Sequence, residues 1–107
     1  MKPTIGRIVH YTLSQHDADQ INRRRTTGPQ IKDRILVDRW PIGAQAHIGN
    51  PVSAGDVFPM VIVKVNSHTI NGRVWLDGTD DYWVQYCEQA LFDSMPPQGF
   101  WFWPPRE

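Results

Sequence analysis

The residues with the greatest chemical potential in this chain are Arg23-Arg24-Arg25, followed at once by Thr26-Thr27-Gly28. Guanidinium forks match phosphate and carboxylate oxygens bidentately and stack on planar rings. Consecutive helical residues point about 100° apart, so three adjacent arginines on a helix cannot all reach one ligand. A helix starting at Thr26-Thr27 would add hydroxyls and unpaired backbone amides, a geometry that receives anions. His47 lies in a glycine-punctuated run, Gly43-Ala44-Gln45-Ala46-His47-Ile48-Gly49, where a neutral imidazole can donate to a ligand. Trp40 offers an aromatic face between the two. The expected ligand-binding set is therefore Arg23, Arg24, Arg25, Thr26, Thr27, Trp40 and His47.

Other reactive side chains point less clearly to chemistry. Cys87 is the single cysteine, so no internal disulfide is possible. Its neighbours include Glu88 and no Lys or Arg, so nothing local activates it, and a small buried thiol is expected. The four histidines are scattered, and none pairs with a cysteine or carboxylate at metal-ligand spacing. Asp77, Asp80 and Asp81 surround a Gly turn, but their spacing is not that of a helix-loop-helix calcium loop, so turn-forming roles are expected. Neither a metal, a cofactor nor an enzymatic reaction is expected.

The chain has 107 residues and reads as one domain over 1–107. The formal net charge is zero, which argues against a generic nucleic-acid or membrane binder. Charge is nevertheless polarised. Residues 1 to 39 carry eight Lys/Arg against four acids, and residues 74 to 107 one Arg against six acids. That polarity suits head-to-tail self-association or an anion site at one end. The longest apolar run, Val57 to Val65, is broken by Pro59 and Lys64 and cannot span a bilayer. No leader sequence is read, and a cytoplasmic location is expected.

The elements that would position these residues follow from periodicity. Residues 4 to 13 alternate as a strand, with Val9, Tyr11 and Leu13 on one face and Ile8, His10 and Thr12 on the other. Ser14 is an N-cap, and Asp17 places negative charge in the first turn of a surface helix running to about Arg25, its apolar face limited to Ala18 and Ile21. A second helix is expected from Thr27-Gly28-Pro29-Gln30 to about Arg39, ended by Pro41. Residues 41 to 56 read as a loop with a short strand at 44–48. Strands are then expected at Val57–Val65, from Ile70 to Leu76, at Tyr82–Tyr86 and at Phe100–Trp103, with Asn71-Gly72 a turn or a bulge.

This pattern predicts a mainly β (α+β) domain: a small antiparallel SH3-like five-stranded barrel with a two-helix insertion, about 14–40, after the first strand. Closure is favoured because so short a sheet has no other protection for its edges. In Phe100-Trp101-Phe102-Trp103 one aromatic face is expected to stay exposed and to be covered by a second subunit, giving a homo-oligomer.

The runs Ile5-Gly6-Arg7-Ile8-Val9-His10-Tyr11, Ile21-Asn22-Arg23-Arg24-Arg25-Thr26-Thr27-Gly28, Gly43 to Asn50 and Phe100 to Pro104 resemble small proteins encoded by tailed phages and prophages. The resemblance implies a viral, bacteriophage origin and an SH3-like barrel. Accessory proteins of this kind often act in anti-defence, some as sponges that sequester nucleotide signals of the host. The resulting expectation is a non-enzymatic nucleotide-binding sponge acting in the host cell. The competing expectation is an interaction module that inhibits a host protein with its basic helices and exposed tryptophans.

Overall fold

The computed structural model describes residues 2–26, 47–91 and 97–105. Its strands are β1 (Ile8–Thr12), β2 (Arg25–Thr26), β3 (His47–Ile48), β4 (Val57–Val65), β5 (Ile70–Trp75), β6 (Asp81–Cys87) and β7 (Trp101–Phe102), with one helix, α1 (Gln15–Arg23), after β1. Five of them form one antiparallel sheet in the order β6-β5-β4-β1-β7, while β2 and β3 make a separate parallel pair.

Period-2 alternation sorts the sheet into two faces. One row across it joins Val9, Met60, Val74 and Tyr82; the next joins Ile8, Val61, Arg73 and Trp83. The first row, with Tyr11, Leu13, Ile62, Ile70, Val84 and Trp101, is the buried face. Helix α1 covers it, contributing Ala18 and Ile21. The second row lies on the outer face, where Ile8, Val63, Trp75 and Trp83 are exposed.

Helix α1 starts where the sequence says it should. The Ser14 hydroxyl accepts from the Asp17 amide at 3.1 Å, and Asp17 accepts from the Ser14 amide at 2.9 Å, a reciprocal capping box. It ends at Arg23 rather than Arg25. Arg24 closes the last turn with its amide on the carbonyls of Asn22 and Ile21, and Arg25–Thr26 then leave to pair with His47–Ile48. Asn22 ties the helix to the loop ahead of β4, donating to the Val52 carbonyl and accepting from its amide, both at 2.8 Å.

Strand β4 runs over the expected residues, and its pairing with β5 begins at Met60, one residue past the Pro59 that lacks a donor. Asn71-Gly72 is not a turn but lies opposite two bulges: β6 carries an extra residue between Val84 and Cys87, and β4 carries one, Val63, between Ile62 and Lys64. The buried Asn71 side chain holds the β6 bulge by accepting from the Tyr86 amide at 2.9 Å and from Asn66 at 3.1 Å. Tyr86 takes φ 55 to suit.

Three expectations need correction. The first strand is shorter than 4–13, because residues 4–7 form a turn in which the Arg7 amide reaches the Thr4 carbonyl and Gly6 adopts φ 91. The barrel is not closed: β6 and β7 are opposite edges of an open sheet. Strand β7 has two residues and uses its ladder on β1, and the left-handed Tyr86 turns the chain away from the end of β6. The segment after β6 bonds to β7 on the side away from β1, with Trp101 donating to Glu88 at 3.0 Å and accepting from Ala90 at 2.7 Å. Third, the aromatic end does not present an exposed face there, since Trp101 and Phe102 are both buried. Trp103 packs edge-on against Trp101 and Phe102 against His10, ring centroids 5.4 Å apart in each pair. Of the two-helix insertion, α1 is the single helix among the described residues; the expected second helix lies outside them.

Candidate functional site

The site is assembled by backbone pairing between segments distant in sequence. Strand β3 lies parallel to β2, placing Arg25 opposite His47 and Thr26 opposite Ile48. The next residue, Gly49, bridges to Gly78 in the turn between β5 and β6, and the Asn50 amide donates to the Asp77 carbonyl at 3.0 Å. The Asn50 side-chain amide adds a 2.7 Å bond to the Asp77 carboxylate. The end of α1, the β2–β3 pair and the β5–β6 turn therefore meet in one place.

At this junction a groove of about 450 Å³ is lined by Arg24, Trp75, Gly78, Thr79, Asp80 and Asp81. Arg24 spans its inner side. Its guanidinium lies 3.2 Å from an Asp80 carboxylate oxygen, donates to the Asp81 carbonyl at 3.4 Å, and stands over the Tyr82 ring at 5.9 Å. The Asp80 side chain is only 3% exposed and Arg24's is 34% exposed, so this pair is partly withdrawn from water. On the other side Arg73 lies 3.3 Å from the Asp81 carboxylate and 5.6 Å from the Trp83 ring centroid. Trp75, 55% exposed, presents its indole to the groove and to solvent.

A polar network underpins Arg24 from beneath. Tyr82 donates its hydroxyl to Asp17 at 3.0 Å, and the buried Tyr11 hydroxyl donates to the other Asp17 oxygen at 2.5 Å. Asp17 is itself buried and collects three donors, counting the Ser14 amide. Burial, and then donation to this carboxylate, push Tyr82 up to about 12 and Tyr11 well above the ordinary tyrosine range.

Burial, with the Asp17 charge nearby, likewise pushes the Cys87 thiol up to about 12. Cys87 is the buried, unactivated thiol expected from its neighbours. At pH 8 its thiolate fraction is roughly a thousandfold below that of a free cysteine. Iodoacetamide should therefore leave the folded protein unmodified over hours and label it promptly in denaturant. Rapid labelling of the native protein would mean the thiol is neither buried nor protonated as described.

The expected binding residues divide. Arg24 lines the groove. Arg23 is exposed on the last turn of α1. Arg25, Thr26 and His47 are brought to the same junction by the backbone of β2 and β3. Thr26 sits in a strand, not at the helix N-terminus that the anion-binding geometry required. Thr27 and Trp40 lie outside the described residues. Sequence reading missed Trp75, Asp80, Asp81 and Tyr82 as parts of the site. Asp80 and Asp81 had a readable cue, two carboxylates beside a Gly turn, but their arginine partners, Arg24 and Arg73, come from other strands and turns.

Among the described residues no three His, Cys, Asp or Glu side chains are grouped to hold a metal ion, and no helix is long and apolar enough to cross a membrane. No protein-family model, curated protein or solved structure matches this chain.

Proposed function

We propose that this protein is a non-enzymatic binding protein that captures a small anionic, nucleotide-type ligand at the junction of α1, the β2–β3 pair and the β5–β6 turn. The observation that carries this reading is the groove itself: a space of about 450 Å³ in which the Arg24 guanidinium and the exposed Trp75 ring stand together. The aromatic ring offers a base its stacking surface, and the arginine-bearing junction around it favours an anionic ligand. The backbone pairing of β2 with β3, which brings the segments carrying Arg25 and His47 to the same junction, supports it. Two observations support sequestration without turnover: the groove's carboxylates are engaged by arginines, and Cys87 is buried. In this reading the protein is a phage-type accessory factor. It acts as a cytoplasmic sponge for a host defence signal and works as a homo-oligomer.

A panel of nucleoside mono- and diphosphates in a thermal-shift assay tests this. Ligand at a hundred times its dissociation constant contributes about 2.7 kcal/mol, which for a domain of this size raises the melting temperature by roughly 10 °C or more. Arg25→Gln should weaken the best binder about tenfold, the effect of one charge-assisted hydrogen bond, and ligand released by heat should come back intact. A melting temperature that no nucleotide moves would remove the reading.

One observation favours the second reading, inhibition of a host protein. The outer sheet face exposes Ile8, Val57, Val63, Trp75 and Trp83 together. A host protein that co-purifies with the wild type and is lost with Trp83→Ala would support it.

A further inference from the structure

Building on the capture reading, we propose that the groove receives the base end of the ligand rather than its phosphate. It selects bases that carry an exocyclic amine, with Trp75 as the stacking platform and Asp81 as the acceptor.

Electrostatics decides the orientation. Two carboxylates line the groove, Asp80 and Asp81, and each faces an arginine already engaged with it, Arg24 at 3.2 Å and Arg73 at 3.3 Å. A phosphate entering here would compete with Asp80 and Asp81 for guanidinium groups that these carboxylates already hold. An uncharged planar ring meets no such opposition. Trp75 is more than half exposed, so its ring is open to a base, and Gly78 contributes no side chain to the neighbouring wall. The phosphate is then directed to the β2–β3 side of the junction, where the backbone pairing sets Arg25 beside His47.

Selectivity follows from the acceptor. The Asp81 side chain is 37% exposed, and Arg73 holds only one of its oxygens in the ion pair. A carboxylate accepts from an amine but opposes a carbonyl, because two acceptors then face each other across the contact. Sites that hydrogen-bond a substrate donor discriminate strongly against the analogue lacking it, since their own polar group is left unpaired.

The test compares nucleotides identical except for amine against oxo: AMP with IMP, and CMP with UMP, by titration calorimetry on the full chain. The amine-bearing member of each pair should bind roughly tenfold or more tightly. Asp81→Asn should shrink or invert that ratio, because the asparagine amide can donate to an oxo group. Trp75→Ala should weaken both members of a pair by a similar factor, roughly tenfold. Both side chains are substantially exposed, and retained melting temperatures of the variants would show that the fold is intact. Equal binding of amine and oxo partners, an unchanged ratio in Asp81→Asn, or unaltered affinity in Trp75→Ala would overturn this orientation while leaving nucleotide capture standing. Binding by none of the four nucleotides would overturn the capture reading itself.

Discussion

Asp17→Ala should lower stability by about 4 kcal/mol, among the largest single losses available in this fold. Asp17 is a buried acidic side chain on α1, and it accepts from the Tyr11 hydroxyl, the Tyr82 hydroxyl and the Ser14 amide. Truncation strands a buried tyrosine hydroxyl and half of the capping box at once. Each unsatisfied buried donor costs on the order of 1–3 kcal/mol, and a lost helix cap about 1 kcal/mol. At 4–8 °C per kcal/mol for a domain of this size, the melting temperature should fall by at least some 15 °C. Asp17→Asn should be milder, because asparagine keeps the volume and one acceptor oxygen. Tyr82→Phe should be milder still, removing a single donor at a half-buried position.

Alkaline pH gives an independent readout of the same network. The folded protein holds the protons of Tyr82 and Tyr11 more tightly than the unfolded chain, whose tyrosines titrate near 10.0. The stability this contributes is fully present below that pH and is lost as the pH climbs through about 12, where Tyr82 ionises. Denaturant midpoints should therefore be level up to about pH 9, where the unfolded Cys87 thiol starts to ionise, and decline beyond it, more steeply above pH 10. In Asp17→Asn, where the carboxylate no longer raises either tyrosine, the decline should be shallower. A midpoint that rose between pH 10 and 12, or an Asp17→Ala variant as stable as the wild type, would show that the carboxylate does not anchor α1 to the sheet.

Much of this architecture is local, and the local parts were readable. Alternation put Val9, Tyr11 and Leu13 on one face, which is the buried one, and the bounds of β4 followed from an apolar run ending at a turn. Ser14 announced the cap, and Asn71-Gly72 announced an irregularity without saying which kind. What escaped is set by contacts between distant residues. Asp17 read as a charge complementing the helix dipole, and nothing near it reveals that Tyr82, 65 residues away, donates to it. The helix was extended two residues too far because Arg24 and Arg25 are good helix formers, and the pairing of β2 with His47–Ile48 overrides that preference.

The same limit applies to the site. The register puts Trp75 and Trp83 on a common face, but alternation along the sequence cannot say which face the helix covers. The groove exists because Gly49 meets Gly78 and Arg24 meets Asp80, contacts that no sequence period encodes. The barrel was inferred from the need to protect edges. Two-residue β7 pairs with β1 and on its other side bonds, through Trp101, to the segment after β6 and not to β6 itself, and that shortness is not visible in four consecutive aromatic residues.

Gly72→Ala carries the second large effect, and it probes how closely β4 and β5 approach at the bulge. Gly72 is buried, opposite Ile62 on one side and Val84 on the other. A Cβ there would stand 2.6 Å from Met60 Cγ, 2.9 Å from its sulfur and 2.8 Å from the Val61 carbonyl oxygen. Overpacking a core costs typically 1–3 kcal/mol, and about 3 kcal/mol is expected here because one of the colliding atoms is backbone. Met60 is fully buried and can yield only by leaving its own packing. Met60→Ala alone should cost 2–5 kcal/mol through the cavity it leaves. Combined with Gly72→Ala, it should recover part of the loss, since two of the three contacts are with its side chain. The remainder should persist, because truncating Met60 does not move the Val61 carbonyl. Urea denaturation of the two single variants and the double variant reads this coupling directly. Full recovery in the double variant would make Met60 the whole obstacle, and a Gly72→Ala protein as stable as the wild type would mean that β4 and β5 are farther apart than described.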